Sequence, residues 1–396
     1  MGADVQVVGG GFSGLAVAYF FAKAGRKVRL VEKAGRQGGM IRTLETPYGP
    51  AETAANALLS NALVESTAQD LGIELVATLP SSRKRFILRS GRMRRWPLSW
   101  GGSWKVARAF LLYFLKRQKL APEPRESISA WGNRVLGEEA TTYLLVPALS
   151  GIYAGAPETL SASLILGRFF RAGRVPPGKL RGSVAPLGGM QNWITGFTHY
   201  LKSQGVEFSN QAEECIPTVV ALPPHQAREF LAPRSPRLAA GLEEIETLSL
   251  LSVNCFFEGQ RGIDGFGCLF PRSEGFRVLG VLANDRIFPG RAKECLSETW
   301  IFGGATDPAI VETPEEELLA LIRAERSRLG LSGTLLHAEV NRWPRAIPHY
   351  NLALEKALEG LAPFAEGHYR LFGTYLGDLG LARVLGRAQE LVRNFP

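Results

Sequence analysis

An α/β protein is predicted, in which a nucleotide-binding domain with a parallel sheet carries a strand-rich substrate domain and an inserted helical region facing a membrane. Three observations predict it. A strand, glycine turn, helix and second strand fill the opening residues, "DVQVVGGGFSGLAVAYFFAKAGRKVRLVEK" from Asp4 to Lys33. A run of basic and aromatic residues from Arg83 to Lys119 contains no Asp or Glu. Strand-like segments then dominate between residues 236 and 345.

In the opening unit, "DVQVVGG" reads as an apolar strand, "SGLAVAYFFAKAG" as a helix stopped at Gly25, and "KVRLVEK" as a strand closed by an acid. Gly9, Gly11 and Gly14 fit GxGxxG. In that pattern the first glycine permits the tight turn, the second lets the backbone approach a pyrophosphate, and the third packs helix on strand. The helix N-terminus then favours negative charge. Glu32 ends the second strand, where a carboxylate can bind a ribose hydroxyl. A Rossmann-type dinucleotide site follows from this combination.

Composition limits the rest. The chain has 396 residues, 45% apolar and 21% charged, enough to bury a large core and divide into two or three domains. Its densest apolar run, "AFLLYFL" at 109 to 115, is far short of the roughly 20 residues of a spanning helix. The first strand begins at Asp4, which leaves no room for a signal peptide, so a cytoplasmic protein is expected. The cysteines Cys215, Cys255, Cys268 and Cys295 match no CxxC spacing and are expected as buried free thiols.

The formal charge is +9, and the basic run supplies much of it. Arg83, Lys84, Arg85, Arg89, Arg92, Arg94, Arg95, Lys105, Arg108, Lys116, Arg117 and Lys119 alternate with Trp96, Trp100, Trp104, Phe110, Tyr113 and Phe114. An anionic membrane surface suits this mixture better than nucleic acid, because Trp and Tyr favour the headgroup level and each basic residue adds about 1 kcal/mol there. A solvated basic face over a helical core is the other reading of the same run.

After Glu32, "EKAGRQGGMIRT" adds Arg36, Gly38, Gly39 and Arg42, a second glycine turn that a nicotinamide domain does not need. Here the sequence resembles the flavoprotein superfamily of amine and porphyrinogen oxidases, in which this loop runs beside the FAD pyrophosphate and ribitol. Further stretches resemble the protoporphyrinogen oxidase family: "GIYAGAPETLS" at 151 to 161, "GFGCLFP" at 265 to 271 and "IPHYNL" at 347 to 352, with "KRFILRSGRMRRWP" near 84 and "LGGMQNWI" near 187. These cover nearly the full chain in the family's order.

The resemblance implies an FAD-dependent oxidase of a porphyrinogen in haem biosynthesis. A hydride leaves a meso carbon for the flavin, a pyrrole N–H proton departs, and dioxygen reoxidises the cofactor to give hydrogen peroxide. It places cofactor contacts at Gly9, Gly11, Phe12, Ser13, Gly14, Glu32, Lys33, Arg36, Gly38, Gly39, Met40, Val206, Gly373, Leu379, Gly380 and Leu381. Arg85 matches a cation for a substrate propionate, and a guanidinium fork suits a carboxylate. Leu269 and Ile301 match positions that sandwich the macrocycle, although either also suits a core. Gly155 matches a glycine beside the pocket. His199, His225, His337, His349 and His368 are scattered singly, so no catalytic base and no metal site is assigned.

The expected FAD domain is discontinuous, from 1–80, 181–235 and 346–396. The substrate domain takes 81–91 and 236–345, and the helical membrane-associated region 92–180. Expected partners are a porphyrinogen, dioxygen, an anionic membrane surface and a second copy of the chain, with no nucleic acid.

Three departures from the family stand out. Ala54 and Ala55 replace a Gly-Pro turn, the stretch from Val206 to Thr218 is too short for the family's strand meander, and Ala382 and Arg383 replace Pro-Asp beside the flavin. Weakened FAD retention is expected from them. Two other functions share these features: a flavin oxidase or desaturase of another apolar substrate, and a tetrapyrrole-binding scaffold without tight FAD binding.

Overall fold

The computed structural model describes residues 2–115, 120–170, 176–259, 261–361 and 364–396. Lys116, Arg117 and Lys119 of the basic run lie outside the described residues.

The chain opens with strand β1 (Val5–Val8), helix α1 (Phe12–Lys23) and strand β2 (Val28–Val31). A hairpin of β3 (Phe86–Arg89) and β4 (Arg92–Arg94) precedes helices α2 (Trp100–Phe114) and α3 (Val146–Tyr153). Helix α4 (Gln191–Ser203) leads into β5 (Glu207–Ser209) and β6 (Thr218–Val220). Strands β7 (Thr247–Phe257), β8 (Gly267–Leu269), β9 (Gly280–Ala283) and β10 (Leu296–Gly303) follow, then helix α5 (Glu315–Arg328) and strand β11 (Leu335–Pro348). The chain closes with β12 (Ala365–Glu366), β13 (Tyr369–Leu371) and α6 (Leu381–Arg393).

Two large sheets organise these elements. The first runs β5-β2-β1-β6-β13-β12, with every pair parallel except β12 against β13. Its strands are recruited from distant parts of the chain. Parallel strands covered on both faces need apolar side chains throughout, and "VQVV" of β1 is fully buried. Gln6, buried among them, donates to Glu213 O and Thr218 Oγ1 and accepts from Glu213 N, so its amide is satisfied. Between β5 and β6 the chain makes bends and no strand.

The second sheet runs β11-β7-β10-β9-β8-β3-β4. One face packs Trp300, Phe302, Leu251 and Val253 against Leu318 and Ile322 of α5. Glu298 and Arg326, both almost fully buried on that side, pair at 3.2 Å, and Trp300 Nε1 donates to the same carboxylate. Burial pushes the Glu298 carboxyl up, against the Arg326 guanidinium.

Several expectations are corrected. The domain boundary at 91/92 cuts a hairpin, because Ser90 (φ 54°) and Gly91 (φ 68°) make the positive-φ turn that joins β3 to β4. Arg92–Arg94 therefore belongs to the second sheet, and the boundary at 345/346 falls inside β11. The basic run is not unopposed: Lys84 pairs with Asp264 and Arg89 with Glu139, both at 2.5 Å. Of the free cysteines, Cys255 and Cys268 are buried, whereas Cys215 is exposed and Cys295 half-buried. Among the described residues, no helix is long and apolar enough to cross a membrane.

Candidate functional site

The glycine turn after β1 contains three different constraints. At Gly14 a Cβ would lie 1.8 Å from Gly9 O, so helix and turn can approach only without a side chain. Gly9 has φ +113°, and its Cβ would lie 2.6 Å from Ala221 O. Gly11 is different. Its φ of −72° suits any residue, and a Cβ there would meet only Gly39 Cα at 3.9 Å. The protein itself does not require glycine at this position, so the open space reads as room for a ligand against the backbone.

The second glycine turn faces the first. Gly38 N donates to Gly10 O at 2.7 Å, Gly11 and Gly38 form a parallel bridge, and Gly39 takes φ +59°. Arg36, exposed, donates to Gln37 O and Gly39 O and so fastens this turn. Glu32 accepts from Gly10 N at 2.7 Å and from Ala34 N at 2.8 Å, which fixes its carboxylate beside the first turn. No acidic residue or side-chain cap occupies the first turn of α1, where N–H groups lack intrahelical partners. The residues present therefore fit the pyrophosphate and ribose of a dinucleotide.

The remaining expected cofactor positions are distributed around this cradle. Phe12 is buried against Trp193 and Phe197, and Ser13 beside it is half-buried. Lys33 is exposed, as is Met40. Buried Val206 lies just before β5, the neighbour of β2. Gly373 has extended backbone, and a Cβ there would lie 2.5 Å from the Tyr375 ring. Leu379, Gly380 and Leu381 lead into α6, with Gly380 as its N-cap.

Arg383 is not left without a carboxylate. Its Nε donates to Asp378 Oδ1 at 3.0 Å, and Arg387 donates to Leu376 O at 3.0 Å while its Nε lies 3.8 Å from Asp378. Neither Ala54 nor Ala55 takes positive φ, so alanine in place of glycine strains no backbone there.

The expected substrate positions lie on the side of the second sheet opposite α5. Register places Ile87, Leu269, Gly280, Ile301, Ser252 and Asn341 in one row across six strands. Leu269 and Ile301, both half-buried, thus flank Gly280 on a shared face. Helix α3 covers one end of the row, where a Cβ on Gly151 would lie 2.8 Å from Leu269 Cδ2. Arg85 is exposed just before β3, with its guanidinium 4.5 Å from the centre of the Phe266 ring, and makes no ion pair among the described residues. At Gly155 the space that a side chain would enter holds Leu160 and, at 3.2 Å, His349 Nε2. It is a packing position of the α3 loop.

One residue to which the sequence alone gives no role, Thr53, joins the two halves. Thr53 N donates to Arg42 O and its hydroxyl to Met40 O, on the second glycine turn. Its own carbonyl accepts from Ser252 Oγ and Trp343 Nε1 of the substrate sheet, and Asn254 holds Glu52 O beside it. Glu52 anchors this loop from below: its carboxylate accepts from Met190 N, Thr43 Oγ1 and the buried Arg291. No local sequence pattern announces such a joint. Among the described residues, no cluster of three or more His, Cys, Asp or Glu could hold a metal.

Comparison with known proteins fits this geometry. A family model described as an NAD(P)-binding Rossmann-like domain matches residues 7–70. The chain is 27% identical to human protoporphyrinogen oxidase over 93% of its own length and 92% of that protein. It is 26% identical to chloroplastic protoporphyrinogen oxidase 1 of Spinacia oleracea over 98% of this chain and 83% of that one. Among solved structures, a protein from Exiguobacterium sp. 255-15, provisionally named a protoporphyrinogen oxidase, matches with a TM-score of 0.78 at 18% identity, covering 99% of this chain and 98% of that chain. Putrescine oxidase bound to putrescine matches with a TM-score of 0.72 at 16% identity over 99% and 98% of the two chains. The fold is that of the flavin amine oxidases, and along nearly its whole length this chain is similar to protoporphyrinogen oxidases.

Proposed function

We propose that this chain is an FAD-dependent, oxygen-using oxidase that converts a porphyrinogen to the porphyrin. The observation that carries this is the Thr53 joint, which sets an open glycine cradle against the row of Leu269, Gly280 and Ile301. When bound, FAD supplies the two-electron acceptor that no side chain can provide. Gly11 and Gly39 bring bare backbone to the pyrophosphate, and Glu32 presents its carboxylate to the ribose. Leu269 and Ile301 offer an apolar surface to the macrocycle and help exclude water. Arg85, unpaired at the rim, receives a propionate. The test is an aerobic assay with protoporphyrinogen IX, followed by porphyrin fluorescence and peroxide. Both should rise together and depend on FAD; FAD-loaded protein that forms no porphyrin would overturn the proposal.

We further propose that α2 docks the protein on the cytoplasmic face of an anionic membrane. Trp100 is 95% and Phe114 76% exposed, with Trp104 and Leu111 beside them, and Arg92, Arg94, Arg95, Lys105 and Arg108 are exposed around this face. Charge complementarity favours anionic lipid, and amphipathic rings suit the headgroup level. Flotation with vesicles should show binding that requires anionic lipid and weakens with salt. Equal binding to neutral and anionic vesicles, or none to either, would support a solvated basic face instead.

A further inference from the structure

We infer that Asn341 is a hydrogen-bond donor to the flavin ring, and that it raises the reduction potential of the bound cofactor. The inference rests on the FAD reading above. Asn341 lies on β11, at the edge of the second sheet, directly opposite Ser252 of β7. Residues so paired share a face, with Cβ atoms about 4.5–5.5 Å apart. That face is the cradle side. Ser252 Oγ donates to Thr53 O at 3.2 Å, and Trp343 Nε1, two residues beyond Asn341, donates to the same carbonyl at 2.9 Å. Val340, one residue back along β11, packs instead against the cluster on the α5 side.

Neighbouring polar side chains of the joint are paired. Thr53 Oγ1 donates to Met40 O, and Asn254 uses both ends of its amide, donating to Glu52 O and accepting from Thr299 Oγ1. Asn341 differs. Its Nδ2 is buried and has no hydrogen-bond partner among the described residues. Thr53 O cannot serve, because Ser252 and Trp343 already occupy its two lone pairs. A buried donor left unpaired is costly, and native proteins pair nearly all of them.

The chemistry of a matching acceptor separates cofactor from substrate. The isoalloxazine ring carries carbonyls and bare ring nitrogens, whereas the pyrrole nitrogens of a porphyrinogen carry N–H and are donors themselves. Its carboxylates are acceptors, but Arg85 stands just before β3, five strands from β11 and so on the order of 24 Å away at about 4.8 Å per strand. The flavin ring is the partner that fits. A donor at one of its acceptors favours the reduced ring, which holds more electron density there.

The test takes wild type, Asn341→Leu, Asn341→Asp and Asn341→Gln, each stripped of flavin and reloaded. Three readouts are compared: the melt of flavin-free protein, FAD titration, and reduction potential against reference dyes. Leu should leave the flavin-free melt unchanged or raised, because it removes an unpaired polar group. It should shift the reduction equilibrium about tenfold toward oxidised flavin, about 30 mV for two electrons. Asp keeps the shape but offers only acceptors and a charge, so it should shift the equilibrium further. Gln keeps the NH2 and should recover part of the potential. A Leu variant that melts lower without flavin yet keeps the wild-type potential would overturn the inference in favour of a structural role. An Asp variant with the wild-type potential would overturn it too, because the donor would then do nothing at the ring. Wild type that takes up no FAD would overturn the cofactor reading itself, whereas wild type that binds FAD and shares its potential with Leu overturns this inference alone.

Discussion

Helices α1 and α2 are both rich in apolar and aromatic residues, yet every residue from Phe12 to Ala22 except Ser13 is buried in one, and only Gly102 and Ala109 in the other. The difference lies in what covers them. Helix α1 is enclosed by the first sheet, by Trp193 and Phe197 of α4 and by α6, whereas α2 presents its rings outward. Apolar composition therefore reports only that a surface is to be covered. In α1 the cover is the chain itself, and the helix supports the fold and the cofactor. In α2 the rings stay exposed, and the proposed membrane docking rests on that exposure.

The comparison can be broken most severely in the covered region. Glu52→Ala leaves Arg291 buried without its carboxylate, and losing one partner of a buried pair costs about 3–5 kcal/mol. A denaturant melt of the variant should show that loss; a change below 1 kcal/mol would mean that Glu52 does not anchor the joint. Within the glycine turn, Gly14→Ala forces a side chain onto Gly9 O and should destabilise the protein by about 1–3 kcal/mol, as overpacking does. Gly11→Val should instead leave flavin-free stability within about 0.5 kcal/mol while abolishing FAD retention. If both variants lose stability alike, the open space at Gly11 is not ligand space.

At the substrate rim, Arg85→Ala should lower kcat/KM for a porphyrinogen by about 1.5–3 kcal/mol, one charged hydrogen bond. An unchanged ratio would remove Arg85 from the site. The exposed helix should yield the smallest effects on stability. Trp100→Ala should change it by less than about 0.5 kcal/mol yet weaken vesicle binding.

The base of α2 adds a pH dependence. Glu139 accepts from Ser99 Oγ and Ser99 N and from Arg89, and these bonds hold its carboxyl down at about 2. A depressed acid contributes stability above its ordinary range and loses it as pH falls through the folded value. The stability gap between wild type and Glu139→Gln should therefore shrink as pH falls from about 4.5 toward 2. A gap that stays constant over that window would show that the carboxylate does not anchor α2.

Some of this was legible in the sequence. Glycine spacing and the acid after β2 act locally, so Gly9, Gly11, Gly14 and Glu32 could be assigned from a short window. Contacts between distant residues could not. Arg89 finds Glu139 and Lys84 finds Asp264 far along the chain, so a run without acids of its own looked less neutralised than it is. Arg383 reads as a bare reversal of charge because its partner, Asp378, is five residues away and only the turn into α6 brings the two to 3.0 Å. Thr53 carries no signal of its own beside Ala54 and Ala55, and its importance comes from Ser252 and Trp343, which reach it from another sheet.

The central claim is that the cradle and the apolar row work on one substrate together. Mixing FAD-loaded protein with a porphyrinogen in the absence of oxygen tests it most directly, with flavin absorbance and porphyrin fluorescence followed in the same cuvette. The account predicts that the flavin bleaches during the first turnover, in proportion to the protein, and that Arg85→Ala slows this while leaving the flavin spectrum before mixing unchanged. A flavin that stays oxidised with either protoporphyrinogen IX or coproporphyrinogen III would contradict it.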